Sequence, residues 1–159
     1  MLKNIKKKFT IGEIFELIDE IGKQKVFLTG EPIVDTYIFS KPMGISSKSP
    51  SISSRYIKEE NYAGGSLAIA RNLAELGCKV NIAFISGNEP FFRAILSKIK
   101  KNKNIHFEIE RSKNYHTPRK IRYIDVFKNQ RIFELVQIPE NNLYYNNKEY
   151  SFKYNRKTL

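Results

Sequence analysis

The chain has little of what disulfide-rich, zinc-binding and membrane-spanning proteins require. One cysteine, Cys78, in 159 residues excludes an intramolecular disulfide and a cysteine-rich zinc site. With only His106 and His116 besides, we expect no classical metal cluster, and both histidines are interpreted as structural. No segment approaches about 18 uninterrupted apolar residues, and no apolar run follows the basic N-terminus, so neither a membrane span nor a secretory signal is predicted. A reducing, cytoplasmic location suits these features.

Acidic residues are also scarce: 16 Asp and Glu stand against 28 Lys and Arg, which gives a net charge of +12. One interpretation is a surface that binds nucleic acid or steers phosphorylated substrates. The other is a lysine-rich composition spread over solvated faces, and we favour it because the lysines recur without one dominant block. A nucleic-acid binder is the least favoured function class, since no matching motif accompanies the charge.

Hydrophobic periodicity alternates along the chain between the helical and the extended period. A hydrophobic fraction of 41% at this length is enough for one packed domain. Helices are predicted at residues 10–22, 64–77 and 89–101, and strands at 25–29, 80–84 and 105–109. Strands that alternate with crossover helices are typical of an α/β sheet, so we predict the α/β class.

Two further stretches are extended but too polar to lie in the core throughout. Residues 34–60 predict two strands around a serine-rich loop at 41–50, and residues 119–126 and 131–138 predict a hairpin. We interpret them as a small β lid, made of segments 35–62 and 117–138, that projects from a single domain spanning residues 1–159. Exposed strand edges in a lid favour pairing with another copy or closure over a ligand. The tail, residues 140–159, has little periodicity and is predicted to be frayed.

A carboxylate and a glycine pair are the best candidates for a ligand site. Asp35 is expected just past the end of the first strand, and ligands of open α/β sheets gather beyond the carboxyl ends of strands. A carboxylate there accepts hydrogen bonds from adjacent sugar hydroxyls, although a turn or capping aspartate is the alternative. Gly64 and Gly65 open a helix, where glycine lets a ligand approach the main chain and the helix N–H groups. The alternative for the pair is an ordinary flexible joint.

Three polar residues, Thr117, Lys120 and Arg122, lie along one extended stretch. A hydroxyl with two cations could contact a phosphate or a sugar hydroxyl. In so basic a chain, the alternative is a solvated strand face.

These motifs, in this order, resemble the N-terminal part of the PfkB or ribokinase-type carbohydrate kinases, and most nearly the heptose-phosphate kinase branch. The Gly-Asp-x-x-x-Asp element of that branch is similar to residues 30–35, where Glu31 takes the first acidic place. Its Ile-Ser-x-x-x-Pro loop is similar to residues 45–50, and its di-glycine helix ending in Leu-Gly to residues 63–77. Its Thr-x-x-Lys-x-Arg element, followed by Asn-Gln, is similar to residues 117–130. The resemblance covers residues 25–138, and the co-occurrence is more specific than any one motif.

The resemblance implies a ribokinase-like fold, in which a doubly wound α/β sheet, here partial, carries a small inserted β lid often used for dimerisation. It also implies a sugar-binding role for six residues: Asp35 would bind sugar hydroxyls, Gly64 and Gly65 would act as hinge and sugar contact, and Thr117, Lys120 and Arg122 would face the acceptor. The family's asparagine after the glycine pair is Ala68 here. ATP and Mg²⁺ are implied for a complete family member. No cofactor and no catalytic residue is assigned to this chain, since the family's C-terminal half carries the catalytic aspartate and the nucleotide pocket.

The residues and the resemblance support two function hypotheses. In the first, the chain is the N-terminal part of a truncated or split sugar kinase. It binds a sugar or sugar phosphate and phosphorylates it with ATP only when a separate polypeptide supplies the C-terminal half. In the second, it is a non-catalytic relic or regulatory module whose lid mediates self-association as a homodimer. No membrane partner is expected in either.

Overall fold

The computed structural model describes residues 9–138, which form three helices and seven strands. The helices are α1 (Ile11–Gly22), α2 (Ser66–Glu75) and α3 (Pro90–Ile99). The strands are β1 (Lys25–Thr29), β2 (Pro32–Ile45), β3 (Ile52–Gly65), β4 (Lys79–Ser86), β5 (Ile105–Arg111), β6 (Arg119–Asp125) and β7 (Gln130–Gln137). The predicted frayed tail, residues 140–159, lies outside the described residues.

The body of the fold is a parallel sheet of three strands in the order β1-β4-β5. Val26 lies opposite Val80, and Val80 lies opposite Ile105. Parallel neighbours need crossover connections, so the chain passes through β2, β3 and α2 before β4, and through α3 before β5. Central strand β4 is buried along most of its length, as expected for a strand covered on both faces. The predicted α/β class is confirmed.

The hydrophobic core lies between this sheet and helices α2 and α3. Leu67 from α2, Ile82 and Phe84 from β4, and Phe92 from α3 are all buried in one cluster. The rings of Phe84 and Phe92 meet edge to face with their centroids 6.1 Å apart. Such a pair contributes about 0.5–1.5 kcal/mol beyond the area that it buries. The apolar faces predicted for both helices therefore form the core.

Helix α1 begins with the predicted capping box. The Glu13 N–H donates to the Thr10 Oγ1 at 3.2 Å, and the Thr10 N–H donates to the Glu13 carboxylate at 2.6 Å. Two backbone donors that a helix start leaves without partners are thereby satisfied. No residue of α1 is buried, and the Phe15 side chain is 63% exposed. The helix is present as predicted, with its apolar face largely open.

The second sheet is the β lid, with four strands in the order β3-β2-β6-β7. Strand β2 pairs with β3 antiparallel and with β6 parallel, and β6 and β7 form the predicted antiparallel hairpin. In the hairpin turn, Asn129 adopts a left-handed backbone with φ 49°, which asparagine tolerates better than most residues. The predicted combination of an α/β body and a small lid is confirmed.

Two sequence predictions about β2 are wrong. Asp35 does not lie just past the end of the first strand, because β1 ends at Thr29 and Asp35 is an internal residue of β2. The first half of the loop predicted at residues 41–50 is strand, since β2 continues through Pro42 to Ile45, and only residues 46–50 form a loop. Proline is tolerated there because pairing with β6 ends at Ser40, which leaves Pro42 on a strand edge beside a register shift.

Candidate functional site

Asp35 lies in the middle of the lid sheet, where three strands meet. It is paired with Tyr62 of β3 and with Lys120 of β6. Paired residues of neighbouring strands project from the same face of a sheet, and residues two apart in one strand share that face. The face that carries Asp35 therefore also carries Tyr37, Tyr62, Lys120 and Arg122. We call these five residues the Asp35 face.

The Arg122 guanidinium joins two carboxylates across the Asp35 face. Its Nη1 lies 2.6 Å from Asp35 Oδ1, and its Nε lies 2.7 Å from Glu134 Oε2. It also lies over the Tyr37 ring, with Cζ 5.3 Å from the ring centroid. The hydrogen bond to Asp35 is the main cause that raises the pKa of Arg122 above its ordinary value. A guanidinium held between two carboxylates is fixed in position and stays charged.

Glycine fits both positions of the predicted pair, for two different reasons. A Cβ at Gly64 would collide with Asp35 Oδ2, because the carboxylate lies directly against the Gly64 main chain. Gly65 has φ +55°, and a Cβ there would lie 2.5 Å from the Glu31 carbonyl oxygen. Helix α2 begins immediately afterwards, with the Ser66 N–H donating to the same carbonyl at 3.0 Å. The glycine pair thus connects the Asp35 face directly to the start of a helix.

Aromatic and charged side chains of β3 extend the Asp35 face. The Tyr37 and Tyr62 rings meet edge to face at a centroid distance of 5.7 Å. The Tyr62 hydroxyl donates to the Glu60 carboxylate at 2.6 Å, and Lys58 Nζ donates to the same side chain at 2.6 Å. These bonds lower the pKa of Glu60, with the Lys58 bond as the largest cause, and raise the pKa of Tyr62. The alternation of Lys58, Glu60 and Tyr62 along the sequence is the signal that could have found this row.

Lys120 lies beside Asp35 in the parallel register of β2 and β6 and is half-buried. Its ammonium group forms no ion pair with any side chain between residues 9 and 138. Lys120 is therefore a cation beside the Asp35 carboxylate, which already forms an ion pair with Arg122. A phosphate arriving at this face would find a positive charge available.

Thr117 is placed differently from the other predicted site residues. It is buried, its hydroxyl accepts from the Gly87 N–H at 3.1 Å, and it donates to Glu89 Oε2 at 2.9 Å. The Thr117 N–H donates to the other Glu89 oxygen at 3.0 Å. These bonds tie the loop before β6 to the start of α3. The structure brings Asp35, Gly64, Lys120 and Arg122 together, whereas the Thr117 hydroxyl is engaged in this separate network.

The chemistry of the Asp35 face is that of hydroxyl and anion recognition. A carboxylate accepts hydrogen bonds from hydroxyl groups, and guanidinium and ammonium groups donate to phosphate or carboxylate. Among residues 9–138, no group of three or more His, Cys, Asp or Glu side chains is arranged to hold a metal ion. No helix of the described part is long and apolar enough to cross a membrane. The donor set therefore suits a polyhydroxylated or phosphorylated molecule better than a metal.

Comparisons with other sequences identify distant relatives. No family model matches the chain. The bifunctional protein HldE of Histophilus somni is 27% identical over 105 residues, which are 66% of this chain and 22% of the relative. The bifunctional protein HldE of Hyphomonas neptunium is 26% identical over 108 residues, which are 68% of this chain and 22% of the relative. The chain thus spans about a fifth of the length of the curated relatives that it matches.

Solved structures with the same fold are sugar kinases. A carbohydrate kinase from Agrobacterium tumefaciens superposes with a TM-score of 0.58 at 18% identity, over 72% of this chain and 35% of that one. The microbiome-derived acarbose kinase Mak1 superposes with a TM-score of 0.57 at 18% identity, over 74% of this chain and 38% of that one. Phosphofructokinase-2 from Escherichia coli, solved with fructose-6-phosphate, superposes with a TM-score of 0.53 at 17% identity, over 72% of this chain and 34% of that one.

The fold is therefore that of the ribokinase-like carbohydrate kinases, and the resemblance expected from the sequence is confirmed at the level of the fold. The solved kinases are about three times as long as the matched part, so they show the architecture of the body and lid and no more.

Proposed function

We propose that this protein supplies the acceptor side of an ATP-dependent carbohydrate kinase and binds a sugar or sugar phosphate on the Asp35 face. The observation that carries the proposal is the position of the Asp35 carboxylate, which lies against the Gly64 main chain and is joined to Arg122. In a fold shared with sugar kinases, this face of the lid sheet brings a carboxylate, two cations and two aromatic rings together.

Each group on the face has a distinct part in the proposed binding. Hydroxyls of the sugar donate to Asp35, whose carboxylate lies against the Gly64 main chain because glycine has no side chain there. Lys120 and Arg122 bind the phosphate of a sugar phosphate, with Arg122 exchanging a carboxylate partner for the phosphate. The rings of Tyr37 and Tyr62 contact the apolar faces of the sugar, and their hydroxyls keep polar partners. The role of hinge for Gly65 remains part of the proposal. For Thr117 we favour the structural role given by its bonds to Gly87 and Glu89, and the acceptor contact is the alternative.

Phosphoryl transfer requires a donor site as well as an acceptor site, because catalysis depends on aligning the two and on stabilising charge on the transferred group. We assign none of the described residues to ATP or to magnesium. The proposal places the donor side in a C-terminal kinase half outside residues 9–138. It places the assembled protein in the cytoplasm, where the buried Cys78 stays a thiol.

The experiment that tests the proposal is a titration of the ¹⁵N-labelled chain with fructose 6-phosphate and sedoheptulose 7-phosphate, with fructose as the phosphate-free comparison. We expect shifts at the Gly64 and Lys120 amides. Asp35→Asn, which keeps the shape and removes the charge, should weaken binding about tenfold or more, since a hydrogen bond to a charged group contributes about 1.5–3 kcal/mol.

The matched control is Asp19→Asn, the same change at an exposed position of α1, which should leave affinity unchanged. Equal affinities for the native chain and Asp35→Asn would contradict the proposed acceptor site. Hydrolysis of ATP by the purified chain alone would contradict the assignment of the donor side to another segment.

A second candidate function, self-association through the lid, is favoured by one specific observation. The far end of the β2–β3 hairpin exposes large apolar side chains, with Met43 at 66%, Ile45 at 77% and Ile52 at 63%. Adjacent exposed apolar residues on a sheet are typical of protein–protein contacts. Sedimentation velocity should show a dimer that Ile45→Ser with Ile52→Ser converts to a monomer, while Asp35→Asn leaves it intact. A monomer at all concentrations would rule out this candidate.

A further inference from the structure

A cavity of about 300 Å³ lies between β3, α2 and α3, away from the Asp35–Arg122 pair on β2 and β6. This volume corresponds to about ten water molecules at the density of the liquid, which is enough for a small organic molecule. The cavity is lined at its base by Ala63, Ile95 and Ile99, and the two isoleucines are buried core residues. Its base is therefore apolar and continuous with the hydrophobic core.

Charged side chains surround the opening of this cavity. Arg71 and Glu75 are one turn apart on α2, and Lys98 faces them from α3. None of the three forms a hydrogen bond or ion pair through its side chain with another residue of the described part. An Arg and a Glu four residues apart on a helix can pair, yet here both remain available. The amides of Asn61 and Asn102 complete the polar part of the lining.

We propose that this cavity binds a small monocarboxylate with an apolar body. The apolar base accepts the body, and Arg71 and Lys98 bind the carboxylate at the opening. Two cations and one carboxylate leave a net charge of +1 around the cavity, which matches a ligand of charge −1. A phosphate dianion is disfavoured, because it would bring a second negative charge close to Glu75.

The position of the cavity gives the bound ligand a contact with the strand that leads into the glycine pair. Asn61, Tyr62 and Ala63 line it, and Gly64 follows directly. The cavity shares Tyr62 with the Asp35 face, and its other lining residues lie outside that face, so its occupancy can be tested without any sugar ligand.

The test uses the full ¹⁵N-labelled chain and three probes: 3-phenylpropionate, its neutral analogue 3-phenylpropan-1-ol, and inorganic phosphate. We expect 3-phenylpropionate to shift the amides of Ala63 and Asn102 saturably at millimolar concentration. The alcohol should bind about tenfold more weakly, because it lacks the charge-assisted hydrogen bonds. Phosphate should leave both amides unchanged.

Two variants and a control separate charge recognition from general apolar binding. Arg71→Gln with Lys98→Gln should weaken 3-phenylpropionate binding about tenfold or more and leave the affinity for the alcohol unchanged. Glu75→Gln should tighten carboxylate binding and allow phosphate to bind. Arg93→Gln with Lys113→Gln removes two exposed cations that do not line the cavity, and it should change neither affinity.

Three results would overturn the inference. The first is the absence of a saturable shift at Ala63 and Asn102 up to about 10 mM of the carboxylate. The second is equal affinity for the carboxylate and the alcohol. The third is phosphate binding at these amides in the native chain. The spectrum of each variant shows whether it is folded, so loss of binding through unfolding is recognised directly.

Discussion

Asp35 and Arg122 form an ion pair with 2.6 Å between Oδ1 and Nη1, although 87 positions separate them in the chain. The parallel pairing of β2 with β6 places Arg122 opposite Tyr37, two residues beyond Asp35, so the guanidinium reaches back along the strand. The two side chains are 23% and 19% exposed, so water screens the pair only in part. The same arginine is held from its other side by Glu134.

The ion pair predicts a measurable coupling energy. In a double-mutant cycle of Asp35→Asn and Arg122→Gln, the two changes should be non-additive by about 0.5–3 kcal/mol in the free energy of unfolding, as expected for groups in direct contact. Urea denaturation of the four proteins measures it. The same cycle on Arg131 and Glu134, a pair whose arginine is 57% exposed, should give a smaller value. Additive effects of Asp35→Asn and Arg122→Gln would show that the contact does not stabilise the fold.

Gly64→Ala should disturb the Asp35 face more than the rest of the fold. The new Cβ would displace the Asp35 carboxylate, and the contact with Arg122 would be lost with it. We expect a loss of about 1–3 kcal/mol of stability and a weaker affinity for sugar phosphates. Gly12→Ala is the matched control, because its Cβ meets only Thr10 Oγ1, at 3.9 Å. Gly12→Ala should be neutral or stabilising by about 0.5–1 kcal/mol. A Gly64→Ala protein as stable as this control would disprove the close approach of the Asp35 carboxylate to Gly64.

Thr117→Val distinguishes a structural role from a role in acceptor binding. Valine keeps the shape and leaves the half-buried Glu89 carboxylate and the Gly87 N–H without their hydroxyl partner. Stability should fall by about 1–3 kcal/mol, and Thr117→Ser should recover most of it. Sugar-phosphate affinity of the folded protein should change little. A tenfold loss of affinity at unchanged stability would instead support the acceptor contact that the resemblance implies.

The capping box of α1 predicts a specific pH dependence. Hydrogen bonds from the Thr10 backbone, and secondarily from its side chain, lower the pKa of Glu13 below its ordinary value of 4.5. A carboxyl whose folded pKa is depressed stabilises the fold above the ordinary value and loses that contribution as the pH falls through the folded pKa. Thr10→Ala should therefore raise the pKa of Glu13 part of the way back, in a carboxyl-detected NMR titration.

The same variant should cost about 1 kcal/mol at neutral pH, the usual effect of losing a Thr cap. This difference in the free energy of unfolding between the native and Thr10→Ala proteins should narrow as the pH falls through the lowered pKa of Glu13, because protonation removes the carboxylate that accepts from Thr10. If the difference in unfolding free energy stays constant as the pH falls from neutral through the lowered pKa of Glu13, the Glu13 contact has no part in the cap.

The helices were predicted well because their signals are local. The Thr10–Glu13 spacing, the apolar face of residues 92–99 and the glycine stop at Gly77 each depend on neighbours within a few positions. The length of β2 was not predicted, because a proline such as Pro42 normally argues against a strand. Pro42 is compatible with the strand only because the pairing of β2 with β6 ends at Ser40.

The candidate site was likewise predicted only in part. Asp35, Gly64, Lys120 and Arg122 were singled out from the sequence, and the structure brings them together. Glu134 was missed, since nothing in the residues around it distinguishes it from an ordinary polar strand. The tyrosine pair was also missed, although the alternation of Lys58, Glu60 and Tyr62 marks the strand face that carries Tyr62. Thr117 was placed with the acceptor contacts, and its burial against Glu89 is a long-range contact that spacing does not reveal.

By itself the sequence determined the α/β class and the order of the elements, because periodicity, capping and turn chemistry act over a few residues. The tertiary structure alone decided that Arg122 reaches Asp35, that Thr117 is tied to Glu89, and that a charged cavity opens between α2 and α3. Those contacts join residues far apart in the chain, 28 positions for Thr117 and Glu89 and 87 for Asp35 and Arg122. Their geometry is set by strand register and helix packing, which no local pattern encodes.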